Sequence, residues 1–151
     1  MEAKATQALL NELLETLKDG EKGYSTATVD VEDHDLKQVF KKYAVQRDGF
    51  LTELEDQMHQ LNLKADEESS ITGTVHRAFI NLKAAITSKS RESILNECER
   101  GEDYAVKAYQ TALKAEGLPG QLKTIIEKQY QGIQEAHNEI RSLRDAASAS
   151  K

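Results

Sequence analysis

The stretch Ile94–Leu113, ILNECERGEDYAVKAYQTAL, carries apolar residues at intervals of three and four. This spacing is typical of one face of an amphipathic helix in a bundle. The inward positions that it predicts are Leu95, Cys98, Glu102, Ala105, Tyr109 and Ala112. A carboxylate on a buried stripe is costly unless another group pairs with it. Glu102 is therefore either out of phase with the stripe or part of a polar site.

The composition indicates an all-α protein of one domain, residues 1–151. The chain has 151 residues, 38% of them hydrophobic, which is enough for one compact core. Only 5% of the residues are aromatic and none is Trp, while helix-forming residue types dominate. The net charge of −6, without a basic block, argues against nucleic acid as a partner.

The cysteine count and the first residues bear on the compartment. One cysteine cannot form an internal disulfide, and MEAKATQALL lacks the features of a secretory signal. We therefore expect a cytoplasmic location. No window approaches the roughly 20 apolar residues that span a bilayer, so no membrane association is expected.

The periodicity predicts four long helices and one short one. The long helices begin near Ala3 or Ala5, at about His34, after the N-cap Ser90 and at Pro119. The turn Asp30–Asp35 follows the first helix, and the other three end near Asn62, Gly117 and Ala146. Residues 147–151 are expected to fray, leaving about 3–146 ordered. Lys64–Thr72 reads as a polar crossover loop, followed by a short helix over Thr72–Ile86 that lies across one end of the bundle.

The other predicted stripes also contain polar residues near mid-helix. In the first helix Glu21 is flanked by Gly20 and Gly23, and the predicted stripe reads Leu10, Leu14, Leu17, Glu21, Tyr24 and Thr28. Each helical glycine costs about 1 kcal/mol relative to alanine, so this pair suggests close backbone approach or room for a bulky neighbour. Arg47 interrupts the stripe of the second helix, although Gln46 faces inward if the phase differs by one residue. That stripe reads Leu36, Phe40, Tyr43, Arg47, Phe50, Leu54, Met58 and Leu61.

The last helix adds His137, which lies between Ile133 and Ile140 on its predicted stripe of Leu122, Ile126, Tyr130, Ile133, His137, Ile140 and Arg144. The tyrosines of the seams, including Tyr24, Tyr43 and Tyr109, are expected to direct their hydroxyls to the polar centre. Cys98 is expected to be a buried small hydrophobe.

Three stretches, LLETLKDGEKGY, HRAFINLKAAI and ILNECERGEDYAVKAY, resemble a bacterial family of ferritin-like four-helix-bundle proteins of unknown function. Four long helices with one long connection fit that arrangement, and DGEKGY (Asp19–Tyr24) and RGEDY (Arg100–Tyr104) form a weak internal repeat. The Gly-Glu pairs are also similar in spacing to those of rubrerythrin-type di-iron proteins. That resemblance implies metal-binding roles for Glu21 and Glu102, and pairing through long helices makes a homodimer an expectation.

The rest of the di-iron pattern departs from the resemblance. The Glu-x-x-His position of the last helix reads Gln134-x-x-His137, and that of the second helix reads Arg47-x-x-Phe50 or Gln46-x-x-Gly49. Two metal ions need about five or six anionic or imidazole ligands. Because a guanidinium does not deprotonate, Arg47 instead suggests a polar network of Glu21, Arg47, Glu102, Gln134 and His137.

Two hypotheses of function follow. The first is a non-catalytic bundle, stress-associated or involved in assembly, that has no cofactor and whose metal centre is replaced by this network. The alternative is a metal-binding protein or metal-dependent oxidoreductase that holds iron or manganese at Glu21, Glu102 and His137, with Gln134 as a weak fourth ligand.

Overall fold

The computed structural model describes residues 3–64, 79 and 81–149, and this part of the chain contains five helices and no strand. The helices are α1 (Ala3–Asp30), α2 (His34–Gln60), α3 (Leu82–Ser88), α4 (Arg91–Lys114) and α5 (Gly120–Ala149). The predicted all-α class is confirmed. None of the described helices is long and apolar enough to cross a membrane.

Local signals in the sequence account for the helix boundaries. The side chains of Asp33 and Ser90 accept hydrogen bonds from the backbone N–H of Leu36 (3.1 Å) and Ser93 (3.2 Å), which caps the starts of α2 and α4. Gly117 has φ 82°, a left-handed conformation that glycine adopts without strain, in the turn between α4 and α5. The last helix continues to Ala149, three residues beyond its predicted end, so Ala147–Ala149 is helical.

The four long helices form a ring of neighbours: α1 packs on α2, α2 on α5, α5 on α4, and α4 on α1. The start of α1 shares a hydrophobic cluster with the end of α4, through Leu10 and Ala112, whereas Ala27 near the end of α1 packs with Ile94 near the start of α4. The helices α1 and α4 are therefore antiparallel, and α2 and α4 face each other diagonally. The bundle consists of two helical hairpins, α1–α2 and α4–α5.

The core has two clusters of buried hydrophobic side chains. The first cluster includes Tyr24, Leu36, Phe40, Ile94, Leu95 and Ile140, and the second includes Leu10, Leu14, Leu17, Leu54, Met58, Tyr109 and Ile126. Along α2, Arg47 lies between the part in the first cluster and the part in the second, and Glu102 has the same position along α4. A polar layer therefore separates the two apolar halves.

The short helix differs from its prediction. It spans Leu82–Ser88 instead of Thr72–Ile86, and residues 65–78 and 80, which include most of the predicted loop and the start of the predicted helix, lie outside the described residues. Lys89 ends α3 with φ 60°, so α3 is separate from α4. It packs on α1 and α4 and places Leu82 and Ile86 in the first cluster, next to one end of the bundle.

The predicted inward faces are correct for α4 and mostly correct for α1 and α2. All six predicted positions of α4 are buried, whereas Glu21 and Thr28 in α1 and Phe50 in α2 are half-buried and Leu61 is exposed. In α5 the phase is wrong at three positions, because Tyr130, His137 and Arg144 are only half-buried. Gln129 and Ala136 are fully buried in that helix instead.

Candidate functional site

A buried ion pair occupies the middle of the bundle. The Nη2 atom of Arg47 donates hydrogen bonds to Oε1 and Oε2 of Glu102 at 2.6 and 2.8 Å. The side chains of Arg47 and Glu102 are 1% and 0% exposed, so solvent does not reach the contact. Burial alone would lower the pKa of Arg47, but the neighbouring carboxylate of Glu102 raises it above its usual value, so the guanidinium remains charged.

Tyr24 on α1 completes this site. Its hydroxyl donates a hydrogen bond to Oε2 of Glu102, and its ring lies 5.7 Å from the guanidinium carbon of Arg47. Burial, together with the charge of Glu102, raises the pKa of Tyr24 well above its usual range. The hydroxyl therefore acts as a neutral donor. The site joins α1, α2 and α4 around one carboxylate.

The backbone of α1 makes room for the guanidinium. A Cβ atom added at Gly20 would lie 3.2 Å from Nη1 of Arg47, which is tighter than most real Cβ contacts. On the other side Nε of Arg47 donates to Oε1 of Gln46 at 3.2 Å, and Nε2 of Gln46 donates to the carbonyl of Gly132 at 3.4 Å. Arg47 is therefore the inward residue of α2, and Gln46 orients it from the edge of the core.

The other residues of the predicted network lie elsewhere. Glu21 is half-buried and accepts a hydrogen bond from the Ser25 hydroxyl at 3.3 Å. His137 has its Nε2 atom 2.8 Å from Oδ1 of Asp103, whose side chain is 55% exposed. Gln134 is exposed and donates to the Tyr130 hydroxyl at 3.1 Å. Of the five predicted members, the structure brings only Arg47 and Glu102 together in the core.

The predicted metal ligands do not form a binding site. Within residues 3–64, 79 and 81–149, no three or more His, Cys, Asp or Glu side chains are grouped so that they could hold a metal ion. Glu21, Glu102 and His137 all lie in this part of the chain, and the structure does not bring them together in such a group. Glu102 is also unsuited to bind a metal ion, because the guanidinium of Arg47 contacts both carboxylate oxygens at the position that a cation would occupy. The residues present do not fit a di-iron centre.

A second buried polar contact, between Tyr109 and Gln129, was not predicted from the sequence. The Tyr109 hydroxyl donates to Oε1 of Gln129 at 2.7 Å, and Nε2 of Gln129 donates to Glu53 at 2.7 Å and to the carbonyl of Phe50 at 3.2 Å. The interval from Ile126 to Gln129 to Ile133 is three and then four, which would have identified Gln129 as inward. Tyr130 obscured this signal because it is an aromatic neighbour one position further.

The central site lacks the features that proton transfer or nucleophilic attack requires. Tyr24, Arg47 and Glu102 are each 1% exposed or less, and both oxygens of Glu102 already accept hydrogen bonds. Cys98, one turn before Glu102, is fully buried, and burial followed by the charges of Glu102 and Glu97 raises the pKa of its thiol. The arrangement can hold three helices together, and it offers no reactive group to a substrate.

The fold and the site thus define an antiparallel helical bundle with a buried Arg–Glu pair at its centre. The chain belongs to the family described as a domain of unknown function, DUF2383, whose model matches residues 5–115. No curated protein matches the chain. The matched region contains Tyr24, Arg47 and Glu102, the three residues of the central site.

Proposed function

We propose that this protein is a non-catalytic ferritin-like bundle in which the pair of Arg47 and Glu102 takes the place of a di-metal centre. The observation that carries this proposal is the contact of one guanidinium nitrogen with both oxygens of Glu102. A charged guanidinium supplies the positive charge that a bound cation would otherwise supply to the carboxylate. On this proposal the centre stabilises the bundle, and the biological role belongs to its surfaces.

The topology supports the same proposal. Two antiparallel hairpins joined by a connection from Leu61 to Asn81 agree with the ferritin-like arrangement of long helices. Lys64 lies beside the first turns of α1, where its carbonyl accepts a bond from Asn11 at 3.2 Å. Phe79, at the other described end of the connection, packs against Tyr24 near the far end of α1, with ring centroids 5.3 Å apart.

Metal analysis tests this proposal. Protein purified without an affinity tag should contain far less than about two equivalents of iron or manganese, and it should lack ferroxidase activity. The variants Glu102→Gln and Glu21→Gln should be indistinguishable from the parent in metal content. Binding of two ions that is lost in Glu102→Gln would overturn the proposal and restore a metal-dependent oxidoreductase.

A further inference from the structure

A cavity of about 290 Å³ lies between α1 and α3. Its apolar wall is formed by Ala27 of α1, by Phe79, and by Leu82 and Ile86 of α3. Small-molecule sites in proteins usually have volumes of about 300–1,000 Å³, so this cavity fits a ligand at the small end of the range. The apolar wall favours a ligand with a hydrocarbon chain.

One side chain of this cavity has an unsatisfied polar atom. Asp19 lines the cavity and is 7% exposed, and its Oδ2 atom is buried without a hydrogen-bond partner among the described residues. Buried polar atoms of folded proteins nearly always have such a partner, so an unpaired carboxylate oxygen indicates a missing group. Burial raises the pKa of Asp19 to about 7, and the charge of Lys22 offsets this effect only in part.

Three positively charged side chains lie on the elements around Asp19. Lys22 on α1 and Lys83 on α3 line the same cavity, but both residues are exposed. Arg47 of α2, which approaches α1 at Gly20, is occupied by Glu102. None of these three groups satisfies Oδ2 of Asp19. A ligand that satisfies it must be a hydrogen-bond donor, and a positively charged donor also pairs with the ionised carboxylate.

We propose that this cavity binds a small primary alkylamine, whose ammonium group pairs with Asp19 while its hydrocarbon chain lies along Ala27, Phe79, Leu82 and Ile86. An ammonium group has three donors and no acceptor, which complements a carboxylate that lacks donors. The proposal is independent of the function assigned to the central ion pair, because it uses none of the residues of that site.

The proposal is tested by measuring the binding of n-hexylamine to the full chain, by calorimetry or by amide chemical shifts. The matched probes are n-hexanol, which has the same chain without the charge, and n-hexanoate, which has the opposite charge. At about pH 8 hexylamine should bind at least about tenfold more tightly than hexanol, which corresponds to one charge-assisted hydrogen bond. Asp19→Asn should remove this advantage, whereas the control Asp48→Asn, an exposed aspartate of α2, should retain it.

The pH dependence gives a second measurement that needs no variant. Only ionised Asp19 pairs with the ammonium, and the amine itself stays protonated up to about pH 10. The affinity for hexylamine should therefore be constant above about pH 7 and fall by about tenfold per pH unit below it. Absence of binding at millimolar hexylamine, equal binding by the parent and Asp19→Asn, or tighter binding of hexanoate would each overturn the proposal.

Discussion

Glu102 is stable in the core because both oxygens of its carboxylate accept hydrogen bonds. Arg47 supplies the charge from α2, and Tyr24 supplies a neutral hydroxyl from α1. Hydrogen bonds to charged groups contribute about 1.5–3 kcal/mol each when they are buried. The stability of the centre should therefore depend on the tyrosine as well as on the ion pair.

The variant Tyr24→Phe tests the contribution of that hydroxyl. It keeps the ring that packs on Phe40 and Phe79 but removes one donor from Glu102. We expect a loss of about 1.5–3 kcal/mol in the free energy of unfolding, measured in urea. Tyr104→Phe, at a half-buried position of α4, is the matched control and should change the free energy by less than about 0.5 kcal/mol. Equal stability of Tyr24→Phe and the parent would show that the hydroxyl does not stabilise the site.

Asp19 should make the stability depend on pH. Its pKa is raised from 3.8 to about 7 by burial, so the native state binds a proton that the unfolded state has already released. Stability therefore falls as the pH rises from about 4 to about 7, and this contribution is constant above that range. Relative to Asp19→Asn, the parent should lose about 1–2 kcal/mol across this window, allowing for screening by Lys22 and solvent. A constant difference between the two proteins from pH 4 to pH 8 would contradict the assigned burial.

Single residues were predictable from the sequence where a charge interrupted a strongly apolar stripe. Glu102 and Arg47 stand out for this reason, and both are fully buried. The partner of Glu102 could not be chosen by periodicity, because Glu21 has similar spacing from its neighbours but faces the edge of the core. Asp19 gave no signal either, because it does not lie on the apolar stripe that the sequence predicts for α1.

At the scale of the elements, glycines allow an aromatic side chain between two helices. A Cβ atom at Gly23 would lie 2.8 Å from Cγ of Phe79, and one at Gly101 would lie closer to Cζ of the same ring. The ring therefore fits between α1 and α4 only because both helices lack a side chain there. The sequence predicted room for a bulky neighbour beside Gly20 and Gly23, and Arg47 and Phe79 fill it.

The variant Gly101→Ala tests this packing. The new methyl group would overlap the ring of Phe79, so we expect destabilisation by about 1–3 kcal/mol despite the better helix propensity of alanine. Gly49→Ala, in α2 with no atom within 4 Å of the added Cβ, is the control and should stabilise by about 0.5–1 kcal/mol. The combination Gly101→Ala with Phe79→Ala should lose less than the two single losses added together, because the overlap is absent. Additive losses would show that Phe79 does not occupy this space.

In α5, the three-four spacing of apolar residues does not by itself decide which side chains face the core. Its stripe reads Leu122, Ile126, Gln129, Ile133, Ala136 and Ile140 in the structure. The prediction placed Tyr130 and His137 inward, one residue beyond Gln129 and Ala136. Tyr130 is more apolar than Gln129, so the predicted stripe continued from Ile126 through Tyr130, and the same steps of three and four then placed His137 inward as well. In the packed bundle Gln129 faces inward, where it forms hydrogen bonds with Tyr109 and Glu53.

At the scale of the whole molecule, the central ion pair links the two hairpins. Arg47 belongs to α1–α2 and Glu102 to α4–α5, and their helices lie on a diagonal of the bundle. The number, order and approximate ends of the long helices were predictable, because local caps and apolar spacing determine them. The diagonal contact was not, since it depends on how the hairpins pack. A homodimer through the long helices stays a prediction, which sedimentation of the purified chain would test.

The most direct test of this account is a double-mutant cycle on Arg47 and Glu102, measured by urea unfolding. Arg47→Ala should lower the free energy of unfolding by about 3–5 kcal/mol, because it leaves the Glu102 carboxylate buried without its counter-charge. Adding Glu102→Gln should recover part of that loss, whereas adding Glu21→Gln should not. A coupling energy of several kcal/mol between Arg47 and Glu102 is the predicted result. An Arg47→Ala protein as stable as the parent, or strictly additive effects of the two substitutions, would contradict the central ion pair.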